Sequence, residues 1–206
     1  DLTIVVLSVL FVYMVIIDFV PSFLRAFAMS VLGFFFYSRG IKVISFETLG
    51  LTTLGLLALF PSLAFSLSFW FSVAGVFYLF LFLHHFSHLN RWLLLSLIDL
   101  GVFFLMLPIV HTFFSVFTFL QLTTPLTSVV FIVFYPLGLF LHLINCGGIL
   151  DTYLLSFLAV DAHTYDLSFP WWILVVYVGV SLVAIRYRLA LYACLGFAFF
   201  SLFFIQ

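Results

Sequence analysis

The sequence predicts an all-α fold, a polytopic integral membrane bundle of roughly seven to nine helices with several short or proline-broken segments. Three observations carry that prediction. The chain is 67% hydrophobic and 6% charged, whereas a soluble domain carries about 25% charged residues. Apolar runs of near-spanning length recur from one end to the other, each closed by a proline, a glycine turn or a small polar cluster. The mean hydropathy of +1.44 therefore belongs to the whole chain and not to one anchor. Phe supplies 32 of the residues, but it serves lipid contact and helix packing alike, so the count carries no function by itself.

Spanning takes about 20 apolar residues, fewer where a helix is broken or the bilayer thin. Leu2 to Val20 is the first run, stopped by Pro21. Ser22 to Tyr37 is shorter and ends at Ser38-Arg39-Gly40. Phe46 to Phe60 is also short and meets Pro61, after which Ser62 to Leu83 has full length. A polar loop follows, His84 to Arg91. Trp92 to Leu107 ends on Pro108, and Ile109 to Leu120 runs to the turn Gln121–Pro125. Leu126 to Ile144 contains Pro136, which should kink it. Asn145-Cys146-Gly147-Gly148 reads as a turn. Ile149 to Val160 carries Asp151 and suits the membrane interface, and Asp161 to Pro170 is a loop. Trp171 to Ile185 and Leu189 to Ile205 close the chain, split by Arg186-Tyr187-Arg188. Pro61, Pro108 and Pro136 are the expected structural breaks, all inside one transmembrane domain over residues 1–206. Short or broken helices at membrane depth are tolerated where protein buries them or water lines them. They point to a transport-type core, with tilted ordinary helices as the alternative.

The positive charges set a topology. With Arg39 and Lys42 inside, 46–60 and 62–83 form a hairpin that returns Arg91 to the inside. Two further crossings, 92–107 and 109–120, would bring Gln121–Pro125 inside. Segment 126–144 would then go out, 149–160 would stay at the outer face, and 171–185 would return. Five of the six basic residues then obey the positive-inside rule. Arg25 is the exception, near the outer face at the head of an apolar run. A guanidinium there snorkels, finds a partner or does a job.

Other features narrow the field. A net charge of −1 gives no general attraction to phosphates. Cys146 and Cys194 match no metal or redox spacing. The chain starts at Asp1 without a methionine, as an excised domain or a processed chain would, and its first run lacks the marks of a signal peptide. Ala26, Ser30 and Gly33 share a helical face, as do Thr48, Thr52 and Gly55, and Ser68, Ser72 and Gly75. That spacing lets backbones approach in lipid, so it reads as packing.

The order of blocks resembles one family. Pro21–Met29, "PSFLRAFAM", looks like the Arg-Ala-x-x-Met signature of the ComEC-type competence domain. Leu56–Val76 resembles its next block, an apolar helix meeting a proline before an LSF-type segment. Leu107–Leu139 resembles the later block, a proline, a His-Phe region, a polar turn and a Pro-Leu-Gly helix, and Phe169–Ala184 resembles the last helices. The resemblance implies an inner-membrane channel passing one strand of transforming DNA into the cytoplasm. It also implies a periplasmic DNA receptor and a cytoplasmic helicase as partners. Fuller members of that family carry an OB-like and a metallo-β-lactamase-like domain. These residues hold no His-x-His-x-Asp metal cluster, so no nuclease is expected of them.

A single-strand conduit needs cations for phosphates and aromatic faces for bases. The expected DNA-path residues are Arg25, Arg91, Asp99 and His111. Arg25 is the leading cation, with a snorkelling helix-end residue as the plain alternative. Asp99 lies eight positions beyond Arg91, about 12 Å along a helix. Its carboxylate should pair with Arg25 or a histidine, or stay protonated and structural; Asp18 competes for Arg25. His111, three residues after Pro108, either lines the path or hydrogen-bonds a kinked backbone, and His142 reads the same way. His84, His85 and His88 suit a solvated inner cap more than a metal site, and with Arg91 they would meet DNA at the exit. Arg186 and Arg188 read as topology signals.

No intramembrane protease motif, nucleotide-binding loop or cofactor motif is present in the sequence. An enzyme is therefore not expected, and neither a cofactor nor a metal is. A secondary transporter for a small solute is the main rival and predicts paired broken helices in two related halves. A structural subunit of a larger membrane complex is the third reading. Membrane lipid is a partner in each, and self-association is open.

Overall fold

A computed structural model describes residues 2–17, 21–40, 45–144, 148, 151, 155, 156 and 163–202. Asp18, Lys42, Cys146 and most of the run 149–160 lie outside the described residues, as does the side chain of Arg25. Among the described residues the fold is all-α, with α1 (Leu2–Ile16), α2 (Pro21–Ser38), α3 (Phe46–Leu59), α4 (Leu67–Phe86), α5 (Arg91–Phe113), α6 (Thr124–Leu143), α7 (Trp171–Val183) and α8 (Arg188–Ser201). Leu67–Phe86, Arg91–Phe113 and Phe119–Leu143 are each long and apolar enough to cross a membrane. The chain divides into two compact units, Asp1–Leu89 and Asn90–Gln206.

In the first unit α1 and α2 pair through aromatic contacts, Tyr13 with Phe23 at 5.2 Å and Phe11 with Phe27 at 6.0 Å. Ser45 caps α3, its side chain accepting the Thr48 N–H at 3.1 Å, which satisfies one of the free donors at a helix start. Pro61 ends α3 as expected. Phe60 sits at φ −132°, ψ 77°, outside the helical region that a following proline disfavours. Pro61–Phe65 then makes a 3-10 turn, and Ser66 caps α4 by accepting the Phe69 N–H at 3.3 Å. Leu56, Leu63 and Phe69 form the core beneath this turn, with Ala28 and Met29 of α2 against them. Lipid is as apolar as leucine, so the gain here is close packing and not escape from water. The Thr48–Thr52 face is buried, and the Thr52 hydroxyl donates to the Thr48 carbonyl at 2.7 Å.

Three findings depart from the sequence expectation, two in the second unit and the last in the first. The runs 92–107 and 109–120 are not two crossings. A single helix, α5, passes through Pro108 to Phe113. Proline removes one backbone bond, the one to the Phe104 carbonyl, and two hydroxyls bond other carbonyls of the same stretch. The Thr112 hydroxyl donates to the Pro108 carbonyl at 2.8 Å, and the buried Tyr177 hydroxyl of α7 donates to the Leu105 carbonyl at 2.8 Å. Pro136 likewise lies inside α6, which continues to Leu143. Beyond α5, the residues 114–123 are not apolar helix. They form strand β1 (Val116–Thr118) and a 3-10 turn (Phe119–Thr123), and β1 pairs antiparallel with β2 (Thr164–Asp166), Phe117 opposite Tyr165. Finally, α4 runs on to Phe86, so His84 and His85 belong to its last turn and not to a solvated loop; His85 is buried.

Candidate functional site

The helices of the second unit sort its side chains to two ends. The ribbon β1–β2 ties the exit of α5 to the entry of α7. The Leu167 N–H donates to the Ser115 carbonyl at 2.7 Å, and the Phe113 and Trp171 rings meet edge to face at 4.9 Å. So α5 and α7 are antiparallel. Residues 184–187 turn the chain into α8, which returns alongside, with Phe199 against Phe104 at 6.3 Å and Leu202 packed on the Leu107, Phe117 and Leu167 cluster. One end therefore holds the ribbon, and the other holds Arg91, Arg186 and Arg188, all exposed. The 23-residue helix from Arg91 to Phe113 separates the two ends by about 33 Å.

The ribbon end is aromatic and hydroxylic. His111 is buried beneath it, and its Nδ1 lies 3.0 Å from the Phe114 carbonyl. A carbonyl only accepts, so Nδ1 carries the proton. The rings then run outward in edge-to-face contacts: His111 to Phe117 at 5.5 Å, Phe117 to Phe119 at 5.7 Å, and Phe119 to Tyr165 at 5.2 Å. Phe117 is fully buried, whereas Phe119 is 55% exposed. Beside Phe119 a cleft of about 380 Å³ opens, lined by Thr118, Leu120, Gln121, Thr123, Thr124, Thr127, Ser128 and Phe131.

Residues 2–205 match the competence protein family. The chain belongs to that family. Its match is of the ComEC type and takes in both units, so the chain has a role in natural competence and DNA uptake. No curated protein and no solved structure matches this competence-family chain.

The expected path residues fall as follows. His111 is at the ribbon end and Arg91 at the opposite one. Asp99 lies between them on α5, half-buried, with no ion pair among the described residues. Its pairing with Arg25 would join the two units and needs a side chain that lies outside the described ones. The backbone of Arg25 is in the second turn of α2, 14 residues and about 21 Å from Arg39. Arg39 shares its end of the first unit with the histidines: the Phe46 ring that opens α3 contacts His84 at 6.0 Å. The His84 and His85 rings are 5.0 Å apart, His88 follows beyond the helix, and among the described residues no trio of metal-binding side chains gathers. His142 contacts Asp151 at 3.5 Å through Nε2 and the Gly138 carbonyl at 2.8 Å through Nδ1. Sequence reasoning missed Phe117, Phe119, Tyr165 and the hydroxyl cleft. Their only signal was alternation over the two three-residue strands, too short to separate from the apolar background.

Proposed function

We propose that the chain is a multi-pass inner-membrane conduit that conducts single-stranded transforming DNA into the cytoplasm during natural competence. The observation that carries this reading, beyond family membership, is that the second unit holds its arginines at one end and the contacting rings of His111, Phe117, Phe119 and Tyr165 at the other. By the positive-inside rule the arginine end is cytoplasmic and the ribbon end faces outward. A strand entering from outside would meet rings and hydroxyls first and Arg91, Arg186 and Arg188 last, where cations favour phosphates on the cytoplasmic side. In the first unit the same rule puts Arg39 and the histidine end inside and Arg25 at the outer end, where a cation would greet the strand. A periplasmic receptor would hand the DNA over, a helicase would draw it in, and a second copy of the chain would complete the wall of the path.

Complementation of a competent host lacking this protein tests the reading, with any missing partner domains supplied in trans. Wild type should move labelled DNA from periplasm to cytoplasm. Arg25→Ala at matched membrane levels should leave DNA outside and lower transformant counts about tenfold or more, the scale of a charged hydrogen bond lost. Failure of wild type to restore transfer would sink the conduit. Full transfer by Arg25→Ala returns that residue to a snorkelling helix end.

A further inference from the structure

The chemistry of the ribbon end is unusual for a surface that meets DNA. No lysine or arginine occurs between Arg91 and Arg186 in the sequence, and the charged side chain on the ribbon itself is the carboxylate of Asp166, which is exposed. Phosphates find no lysine or arginine of the second unit there. The cleft hydroxyls point the same way. Thr123 donates its proton to the Leu120 carbonyl at 2.7 Å, Thr127 to the Thr123 carbonyl at 2.8 Å, and Ser128 to the Thr124 carbonyl at 2.9 Å. Each hydroxyl proton is spent on the backbone, which leaves the oxygens as acceptors. Acceptors suit the N–H edges of nucleobases and repel phosphate oxygens. At the same end stand Phe119, exposed, and Tyr165, half-buried, 5.2 Å apart and held in place by the buried Phe117 and the ribbon pairing.

We propose that Phe119 and Tyr165, with the Thr123, Thr127 and Ser128 oxygens, form a platform without lysine or arginine of its own, at the ribbon end of the second unit, that receives single-stranded DNA through its bases. This rests on the conduit reading and names how that conduit takes its substrate. Base stacking on aromatic rings is sequence-tolerant because every base has a π-face. A duplex keeps its bases stacked inward and offers the platform nothing. Without phosphate contacts the hold is brief and indifferent to salt, since salt dependence scales with the number of phosphates neutralised. A strand in transit is guided without being trapped.

The test uses the full chain in lipid nanodiscs and a short oligothymidylate carrying one 5-iodouracil, photo-crosslinked and mapped by mass spectrometry. Crosslinks are expected on the peptides holding Phe119 and Tyr165. Unlabelled oligothymidylate should compete, while an abasic strand of equal length and a duplex should not. On an Arg25→Ala background, which removes the outer cation of the first unit, yield should hold steady as salt rises. Phe119→Leu and Tyr165→Leu should each lower it about five- to a hundredfold, the range for one stacked base, and Phe119→Trp should keep it. Phe119 is exposed enough that the Leu variant keeps the fold. Competition by the abasic strand, a steep fall of yield with salt, or wild-type crosslinking by both Leu variants overturns the platform. Complementation separates the two claims. If wild type restores DNA transfer and the double Leu variant does so equally, the platform is wrong and the conduit stands. If wild type fails to restore transfer, the platform falls with the conduit.

Discussion

At the residue scale, one long-range side-chain hydrogen bond ties α7 to α5 in the second unit. The Tyr177 hydroxyl, buried, donates to the Leu105 carbonyl at 2.8 Å, one residue beyond the carbonyl that Pro108 leaves without its backbone donor. Interhelical bonds of this kind in lipid average about 0.6 kcal/mol and reach about 1.7. Tyr177→Phe should therefore lower unfolding stability by about 1 kcal/mol while keeping ring packing against Phe197. Chemical denaturation in mixed micelles measures it, and an unchanged midpoint would remove the bond from the account. Arg25 illustrates the opposite case. Its position in the sequence made it conspicuous, because a lone cation in an apolar run is costly. Tyr177 gave no such sign, since a tyrosine in an apolar helix reads as bulk until its partner 72 residues away is known.

At the scale of the element, α5 shows where sequence reading misplaces a boundary. Proline normally costs a helix interior about 3 kcal/mol, which is why Pro108 reads as an end. Membrane depth alters that balance, because the neighbouring hydroxyls of Thr112 and Tyr177 attend the carbonyls around it. Pro108→Ala returns an N–H to the ladder but removes a fully buried ring. A large-to-small change at such a site costs on the order of 1–2 kcal/mol, so the net expectation is a gain of at most about 1–2 kcal/mol. Thermal unfolding in detergent decides it. A loss would mean that the ring is packing more than the backbone is missing. Pro61, by contrast, ends its helix because Phe60 lies outside the helical region and Ser66 stands ready to cap the next one. The stop at Pro61 was legible; the start of α4 at Leu67, capped by Ser66, and the ribbon strands of three residues each were not.

At the scale of the molecule, merging two runs into α5 reverses the expected side of the turn after it. The sequence map carried Gln121–Pro125 back inside; the helix delivers it to the ribbon end, opposite Arg91. Cysteine labelling in intact cells on a Cys194→Ser background separates the maps, after Cys146→Ser removes the other thiol. Gln121→Cys should react with an impermeant maleimide added outside, and Tyr187→Cys should react only after the membrane is opened. The reverse pattern would invert the unit and with it the proposed direction of entry. The all-α class, the membrane setting and most helix positions were readable because apolar length and helix punctuation are local signals. Which end each side chain occupies was not, since it depends on pairing between distant segments. The ribbon has a consequence for biosynthesis. Residue 116 pairs with residue 166, so at a synthesis rate of about 5–20 residues per second the first strand waits about 2–10 s for its mate. During that interval α5 and α6 are already in the bilayer while the clasp that will hold α7 does not exist. Water at the outer surface must satisfy the waiting strand, and the second unit closes only after its last segments have left the ribosome.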